Sequence, residues 1–133
     1  MSYIDSREEK EITLQDAKGE VKFVLKQYDA FKGLAYQRKL LKILAPCFLV
    51  LQEQAKQKNE DFMGLVIKSF IDNIDEVEPA FLKELVLQGA YKEGRVTINF
   101  ENDFAGRYAV LFMLIKELIV FNFEDLFQFL GSN

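Results

Sequence analysis

The chain begins its regular patterning with alternating apolar and polar positions, which is typical of a half-buried β-strand. The alternation occupies residues 11–15 and 20–27, and the two runs flank Asp16-Ala17-Lys18-Gly19, a turn with glycine at its end. The apolar positions are Ile12, Leu14, Val21, Phe23 and Leu25. This arrangement predicts a β-hairpin with one apolar side.

After the hairpin, the pattern favours helices. Asp29 is suited to cap a helix from Ala30 to about Ala45. That helix should end before Pro46, because the residue before a proline resists helical dihedral angles. Pro46 is itself tolerated in a first turn, so a second helix is predicted from there to about Lys58.

Two further helices are predicted in the middle of the chain. Asp61 can cap the third, whose stripe has helical spacing. The stripe consists of Phe62, Leu65, Val66, Ser69, Phe70 and Asn73. Glu78-Pro79 opens the fourth, and Gly89 stands where a helix C-terminus favours glycine.

The last third predicts a short strand and two helices. Arg95–Phe100 alternates and can add an edge to the hairpin. Asn102 can cap a long helix through about Val120, and a final helix should start at Asn122. The long helix is apolar nearly all round, so it is either central to the core or partly covered by a partner.

These elements predict an α+β fold, with an N-terminal β-hairpin, a possible third short strand and five or six α-helices. The 133 residues suit one domain. Residues 1–10 carry many charges without a period and are predicted to be a flexible N-terminal segment, whereas 11–133 form a single domain.

The composition lacks the side chains on which most active sites depend. There is no His and only one Cys, so the usual general base, the triads and a zinc site are missing. A hydrolase that uses only Asp and Glu stays open through Asp72, Asp75 and Glu76, although these acids better suit a solvated helix start, and Cys47 suits a buried structural thiol better than a nucleophile. We therefore expect no enzyme, no cofactor and no metal, and the uncharged stretches are too short to span a membrane.

The charges are distributed unevenly, although the net charge is only −4. Six basic residues and one acid lie between Lys22 and Lys42, whereas five acids and one lysine lie between Asp72 and Glu84. Three interpretations remain open: solvated faces with some internal pairing, head-to-tail contacts between copies of the chain, and nucleic-acid binding, which would need a larger basic surplus.

The chain is also rich in phenylalanine, with thirteen Phe, five Tyr and no Trp. Seven of the Phe lie between Phe100 and Phe129. They can fill the core, but Phe129 falls off the stripe of its own helix, so some aromatic surface is expected to remain for a partner.

Two stretches together resemble a known family. The first, residues 22–46, is a strand followed by the step Phe31-Lys32-Gly33-Leu34 into a basic, Leu-rich helix. The second, residues 96–127, contains Asn102-Asp103-Phe104-Ala105-Gly106-Arg107, a long apolar helix and Asn122-Phe123. Together they resemble the tail assembly chaperones of long-tailed bacteriophages, which are small α+β proteins of similar length.

The resemblance implies a non-catalytic function in the cytoplasm of the bacterial host, outside the mature virion. It implies binding to the tape measure protein, to keep that protein soluble during tail tube assembly, and self-association, which in this family tends to form spirals. Many members have a second, longer form made by a translational frameshift, through which tail tube protein is bound; this chain is expected to be the short form. Neither nucleic acid nor a membrane is expected as a partner.

The residues expected to contact other protein chains are basic or aromatic. They are Lys32, Arg38, Lys39, Lys42, Phe104, Arg107, Phe123, Phe127 and Phe129. Rival interpretations are a structural head–tail or minor tail protein of a phage, a protein that binds a small apolar ligand among its Phe residues, and a regulator that binds nucleic acid through residues 22–42.

Overall fold

The computed structural model describes residues 7–58 and 62–131. Over these residues the fold is α+β, as predicted, with three strands, six α-helices and three short 3₁₀ turns. In chain order they are β1 (Glu9–Asp16), β2 (Gly19–Lys26), α1 (Ala30–Leu44), α2 (Phe48–Lys58), α3 (Phe62–Asp72), α4 (Pro79–Gly89), β3 (Ala90–Lys92), α5 (Phe100–Asp103) and α6 (Tyr108–Gly131). The predicted cap Asp61 and most of the predicted flexible segment, residues 1–6, lie outside the described residues.

The predicted hairpin is confirmed. Strands β1 and β2 pair antiparallel from Glu9↔Lys26 to Asp16↔Gly19, so β1 begins two residues earlier than predicted. Gly19 has a φ of +126°, which side chains with a Cβ rarely adopt, and this explains the glycine at the end of the turn. Phe23 and Leu25 are buried on the inner face of β2, as the alternation predicted.

Helix α6 runs through the middle of the core. It packs against α3, α4 and β1. Its buried residues recur at helical spacing and are Val110, Leu111, Leu114, Ile115, Leu118, Ile119, Phe123 and Phe127. Of the two explanations for a helix that is apolar nearly all round, the structure therefore shows the first: a central position in the core.

The predicted strand Arg95–Phe100 is wrong. The third strand is β3, five residues earlier, and it pairs with β2 from Phe23↔Lys92 to Leu25↔Ala90. Gly94 and Arg95 both have positive φ, at 76° and 61°, so the chain turns there instead of remaining extended. Three residues are too few for β3 to show an alternating pattern in the sequence.

The predicted helix boundaries at Asn102 and Asn122 are also wrong. The short helix α5 is capped by Asn99, whose side chain accepts a hydrogen bond from the backbone N–H of Asn102 at 3.3 Å. A turn through Gly106 follows, with a φ of +71°, and α6 then continues without a break past Asn122. The side chain of Asn122 instead bonds another part of the chain, as described below.

Candidate protein-binding surface

Helix α1 is the element that brings together most of the predicted basic contact residues. Asp29 caps it, accepting a hydrogen bond from the backbone N–H of Lys32 at 2.8 Å, so the predicted start is confirmed. Tyr36, Leu40 and Leu44 are buried on the side that faces the core. The basic residues Lys32, Arg38, Lys39 and Lys42 are all exposed.

The four basic side chains of α1 are in different surroundings. The Lys32 ammonium group donates a hydrogen bond to Gln88 Oε1 at 2.5 Å, and the Lys39 ammonium group lies 4.9 Å from the centre of the Phe81 ring. Within the described part of the chain, Arg38 and Lys42 make no hydrogen bond or ion pair. Two of the four cations therefore remain available to an external acid.

Two large apolar side chains are exposed on the same helix. Phe31 is 88% and Leu34 is 57% exposed, although neither was among the predicted contact residues. The sequence does contain the signal, because Phe31, Leu34, Arg38 and Lys42 share one side of a helix at 3.6 residues per turn. We define the α1 face as Phe31, Leu34, Ala35, Arg38 and Lys42, all of which are exposed.

A groove of about 380 Å³ lies beside the α1 face, between α1 and α6. Leu34 and Gly33 line one side of it, and Asn122 and Phe123 line the other. Asn122 fixes this arrangement: its Oδ1 accepts the backbone N–H of Tyr28 at 2.9 Å, and its amide donates to the carbonyl of Leu118 at 3.0 Å. This contact between distant parts of the chain explains an Asn inside a helix.

The basic end of α1 lies near acidic residues of the same chain. Lys39 and Lys42 line a groove of about 270 Å³ together with Glu76 and Glu78, and its apolar lining includes Phe81. Part of the predicted acidic patch therefore borders the basic patch within one molecule. The proximity of these charges allows partial internal compensation of Lys39 and Lys42, without an ion pair among the described residues, and it leaves Arg38 outside the groove.

Three of the four predicted aromatic contact residues are buried. Phe104, Phe123 and Phe127 are all 5% exposed or less, so they present little surface to a second chain in this structure. Phe104 stacks on Phe23, and Phe123 stacks on Tyr28. Phe129 is 68% exposed, in agreement with its position off the helix stripe.

Arg107 holds the hairpin turn against the start of α6. Its guanidinium group donates to both carboxylate oxygens of Asp16, at 2.8 and 2.6 Å, and to the Gly19 carbonyl at 3.1 Å. The hydrogen bond from Arg107 is the main reason why the pKa of Asp16 falls from 3.8 to about 2. Arg107, predicted to contact a partner, is therefore engaged within the chain.

The contact between Asp16 and Arg107 is expected to lose its stabilising effect in acid. The pKa of Asp16 is lower in the folded chain, so its contribution is complete above about pH 4 and is lost as the pH falls toward 2. We expect Asp16→Asn to lower the melting temperature slightly at pH 7, with a gap to the wild type that closes by about pH 2. Thermal melts at both pH values test this.

The exposed Asp75 provides the matched control for that experiment. Asp75→Asn removes the same charge but no described hydrogen bond, so its melting temperature should stay close to that of the wild type at both pH values. A gap for Asp16→Asn that persists unchanged into acid would contradict the assigned role of the Asp16–Arg107 pair.

Two other grooves have apolar linings. One, of about 420 Å³, lies between α2 and α3 and includes Pro46, Val50 and Leu65. The other, of about 390 Å³, lies where α4, α5 and α6 meet and includes Phe100 and Tyr108. Val50 and Tyr108 are exposed, so apolar surface is spread over several sides of the molecule.

Neither a metal site nor a membrane span is found in the described ranges. No group of three or more His, Cys, Asp or Glu side chains among these residues could hold a metal ion. Likewise, none of the helices built from residues 7–58 and 62–131 has the length and apolar character needed to cross a bilayer. The surface features described above are those of a protein that contacts other macromolecules, with an exposed basic and apolar helix on an α+β core.

A comparison with known protein families agrees that the chain contacts other macromolecules, and it identifies the family. Residues 19–132 match the model of the phage tail assembly chaperone proteins (TAC). The chain therefore belongs to the phage tail assembly chaperone family, as the sequence resemblance predicted. No curated protein and no solved structure matches it significantly.

Proposed function

We propose that this chaperone binds the tape measure protein, self-associates, and keeps its client soluble while the tail tube assembles. The observation that best supports this proposal is the α1 face. Phe31 and Leu34 are exposed there, on a chain whose core is already filled by other residues. Exposed apolar side chains beside cations that have no ion-pair partner are typical of a surface that another chain covers.

The mechanism we propose is a non-catalytic one. A long helical client exposes apolar stripes that would aggregate in water, and the chaperone covers them by offering apolar surface of its own. Several copies bound along one client, with weak contacts between neighbouring copies, raise the overall affinity through avidity. Release follows competition from the assembling tube, so the chaperone acts in the host cytoplasm and leaves before the virion is complete.

Contacts between copies are the second part of the proposal. Arg38 on one copy and the exposed acids of residues 72–84 on the next have opposite charge, which supports a head-to-tail arrangement. Lys32, Lys39 and Lys42 lie on the same helix and can help to set the register. Light scattering coupled to size exclusion tests this part, because a strict monomer at high concentration contradicts it.

Co-expression tests client binding. The tape measure protein of the same phage should pass from the pellet to the soluble fraction, by several-fold, when the chaperone is produced with it. An unrelated small acidic protein serves as the control and should leave the client in the pellet. An unchanged pellet with the chaperone present contradicts the proposed function.

Purified virions give a second readout. An assembly chaperone should be missing from finished particles, whereas a head–tail connector or minor tail protein remains in them. Mass spectrometry of virions therefore separates the proposal from its structural rival, and detection of this chain at the copy number of a tail subunit would favour the rival.

A further inference from the structure

We propose that the α1 face binds an acidic amphipathic helix, with Phe31 and Leu34 as apolar anchors and Arg38 and Lys42 as partners for carboxylates. This inference rests on the proposed function, because it identifies the kind of client segment that the chaperone holds.

The geometry of the α1 face suits a helical partner. At about 100° of rotation per residue, its five members fall within about 100° of the helix circumference. From Phe31 to Lys42 the face extends about 16 Å, or three helical turns. The apolar members occupy the N-terminal half and the cations the C-terminal half, so a helix laid along α1 meets both kinds of contact.

The exposure of Phe31 shows where the anchor of such a contact lies. At 88% exposed, it is the most exposed of the large hydrophobic side chains in the described part of the chain. Phenylalanine has no polar group that water could solvate, and aromatic side chains of this kind dominate the energy of interfaces when they are covered. The groove between α1 and α6 lies directly beside Leu34 and widens the apolar area.

The charge of the face identifies the partner as acidic. Helix α1 has four basic residues and no acidic one. Lys32 and Lys39 are engaged by Gln88 and by the Phe81 ring, which leaves Arg38 and Lys42 for an external acid. Arg38 can take a carboxylate with two parallel hydrogen bonds, a geometry that also fixes the register of the bound helix.

A nucleic acid fits the same surface less well. Phosphate binding usually uses a broad basic patch, and affinity rises with the number of phosphates neutralised. Here only Arg38 and Lys42 are available, Glu76 and Glu78 line the groove next to Lys42, and the chain has a net charge of −4. An amphipathic helix needs only one or two carboxylates at the right distance from its apolar stripe.

Designed peptides test the proposal without knowledge of the client sequence. Three fluorescent helical peptides would share one apolar stripe and carry acidic, neutral or basic residues beside it. At low salt, the acidic peptide should bind at least about tenfold more tightly than the basic one, and added salt should reduce the difference. Fluorescence anisotropy with the full chain measures all three affinities.

Two double variants separate the apolar from the electrostatic contribution to peptide binding. R38E/K42E should reverse the preference, so that the basic peptide binds more tightly than the acidic one. F31S/L34S should weaken binding of all three peptides by about tenfold or more. Leu49→Ser is the matched control. Leu49 is 77% exposed on a different helix, α2, so its replacement should leave every affinity unchanged.

Several outcomes would overturn the inference. They are equal affinity for acidic and basic peptides, unchanged binding by F31S/L34S, tighter binding of a DNA or RNA duplex than of the acidic peptide, and an R38E/K42E variant that loses a homo-oligomer but keeps the wild-type peptide preference. If circular dichroism shows that F31S/L34S does not fold, R38E/K42E tests the inference alone: the inference then stands only if this variant prefers the basic peptide to the acidic one.

Co-expression distinguishes a failure of this inference from a failure of the proposed function. If the wild-type chain leaves the tape measure protein in the pellet, the proposed function fails, and the inference fails with it. If the wild-type chain and F31S/L34S solubilise it equally, the function stands and the α1 face is not the binding surface.

Discussion

Replacing Phe127 with alanine is expected to lower the free energy of unfolding by about 3–5 kcal/mol, the usual effect of removing a large core side chain. Phe127 is fully buried in α6, with a relative exposure of 0%. Alanine removes the transfer free energy of the ring and leaves a cavity that the surrounding helices fill only in part. Since small domains are stable by about 5–15 kcal/mol, this change removes a large share of the total.

Phe129→Ala is the matched comparison, two residues further along the same helix. Its ring is 68% exposed, so the same chemical change should alter the free energy of unfolding by less than about 1 kcal/mol. Urea denaturation followed by circular dichroism measures both variants. Equal effects would contradict the burial of Phe127. If Phe127→Ala were as stable as the wild type but failed to bind the client, Phe127 would instead be a contact residue, as predicted from the sequence.

The comparison also shows why the sequence alone could not assign the aromatic residues. Phe123 and Phe127 have helical spacing and Phe129 does not, so the sequence indicated which of them share a face. It did not indicate whether that face meets the core or another chain, because both environments favour the same side chains. The partners of α6, namely β1, α3 and α4, come from distant parts of the chain and decide the question.

Elements whose signals are local were predicted well. The hairpin has a two-residue period and a glycine in its turn, and α1 has a capping Asp at its start and a proline after its end. Each signal acts within a few residues of the structure that it determines. The α+β class followed from these elements, whereas the central position of the long apolar helix was one of two alternatives that the sequence left open.

Elements determined by distant contacts were predicted poorly. Asn122 has the side chain of a helix cap, yet it hydrogen-bonds the backbone of Tyr28, and α6 continues past it. The alternation of Val96, Ile98 and Phe100 suggested a strand, but the positive φ of Gly94 and Arg95 turns the chain before it. The same division applies to the candidate site. The basic residues of α1 were proposed as contacts from the sequence, whereas Phe31 and Leu34 were recognised once their exposure was known.

The second large effect is expected at Gly89, the last residue of α4. A Cβ at this position would lie 2.7 Å from Tyr28 Cε1 and 2.8 Å from Leu118 Cδ2, closer than side-chain atoms approach in folded proteins. Tyr28 cannot easily move, because its ring is buried and its hydroxyl donates a hydrogen bond to the Leu85 carbonyl at 2.6 Å. Gly89→Ala should therefore destabilise the fold by about 1–3 kcal/mol, the usual cost of overpacking.

Gly33→Ala is expected to change stability in the opposite direction. Gly33 lies inside α1, and a Cβ there would have one neighbour within 4 Å, Tyr28 Cβ at 3.9 Å, which is an ordinary contact. Alanine favours a helix over glycine by up to about 1 kcal/mol, so this variant should be more stable than the wild type. Chemical denaturation of the two variants tests whether close packing requires Gly89. If Gly89→Ala were also more stable than the wild type, the tight contact between α4, α6 and Tyr28 would be contradicted, because helix propensity alone favours alanine at both positions.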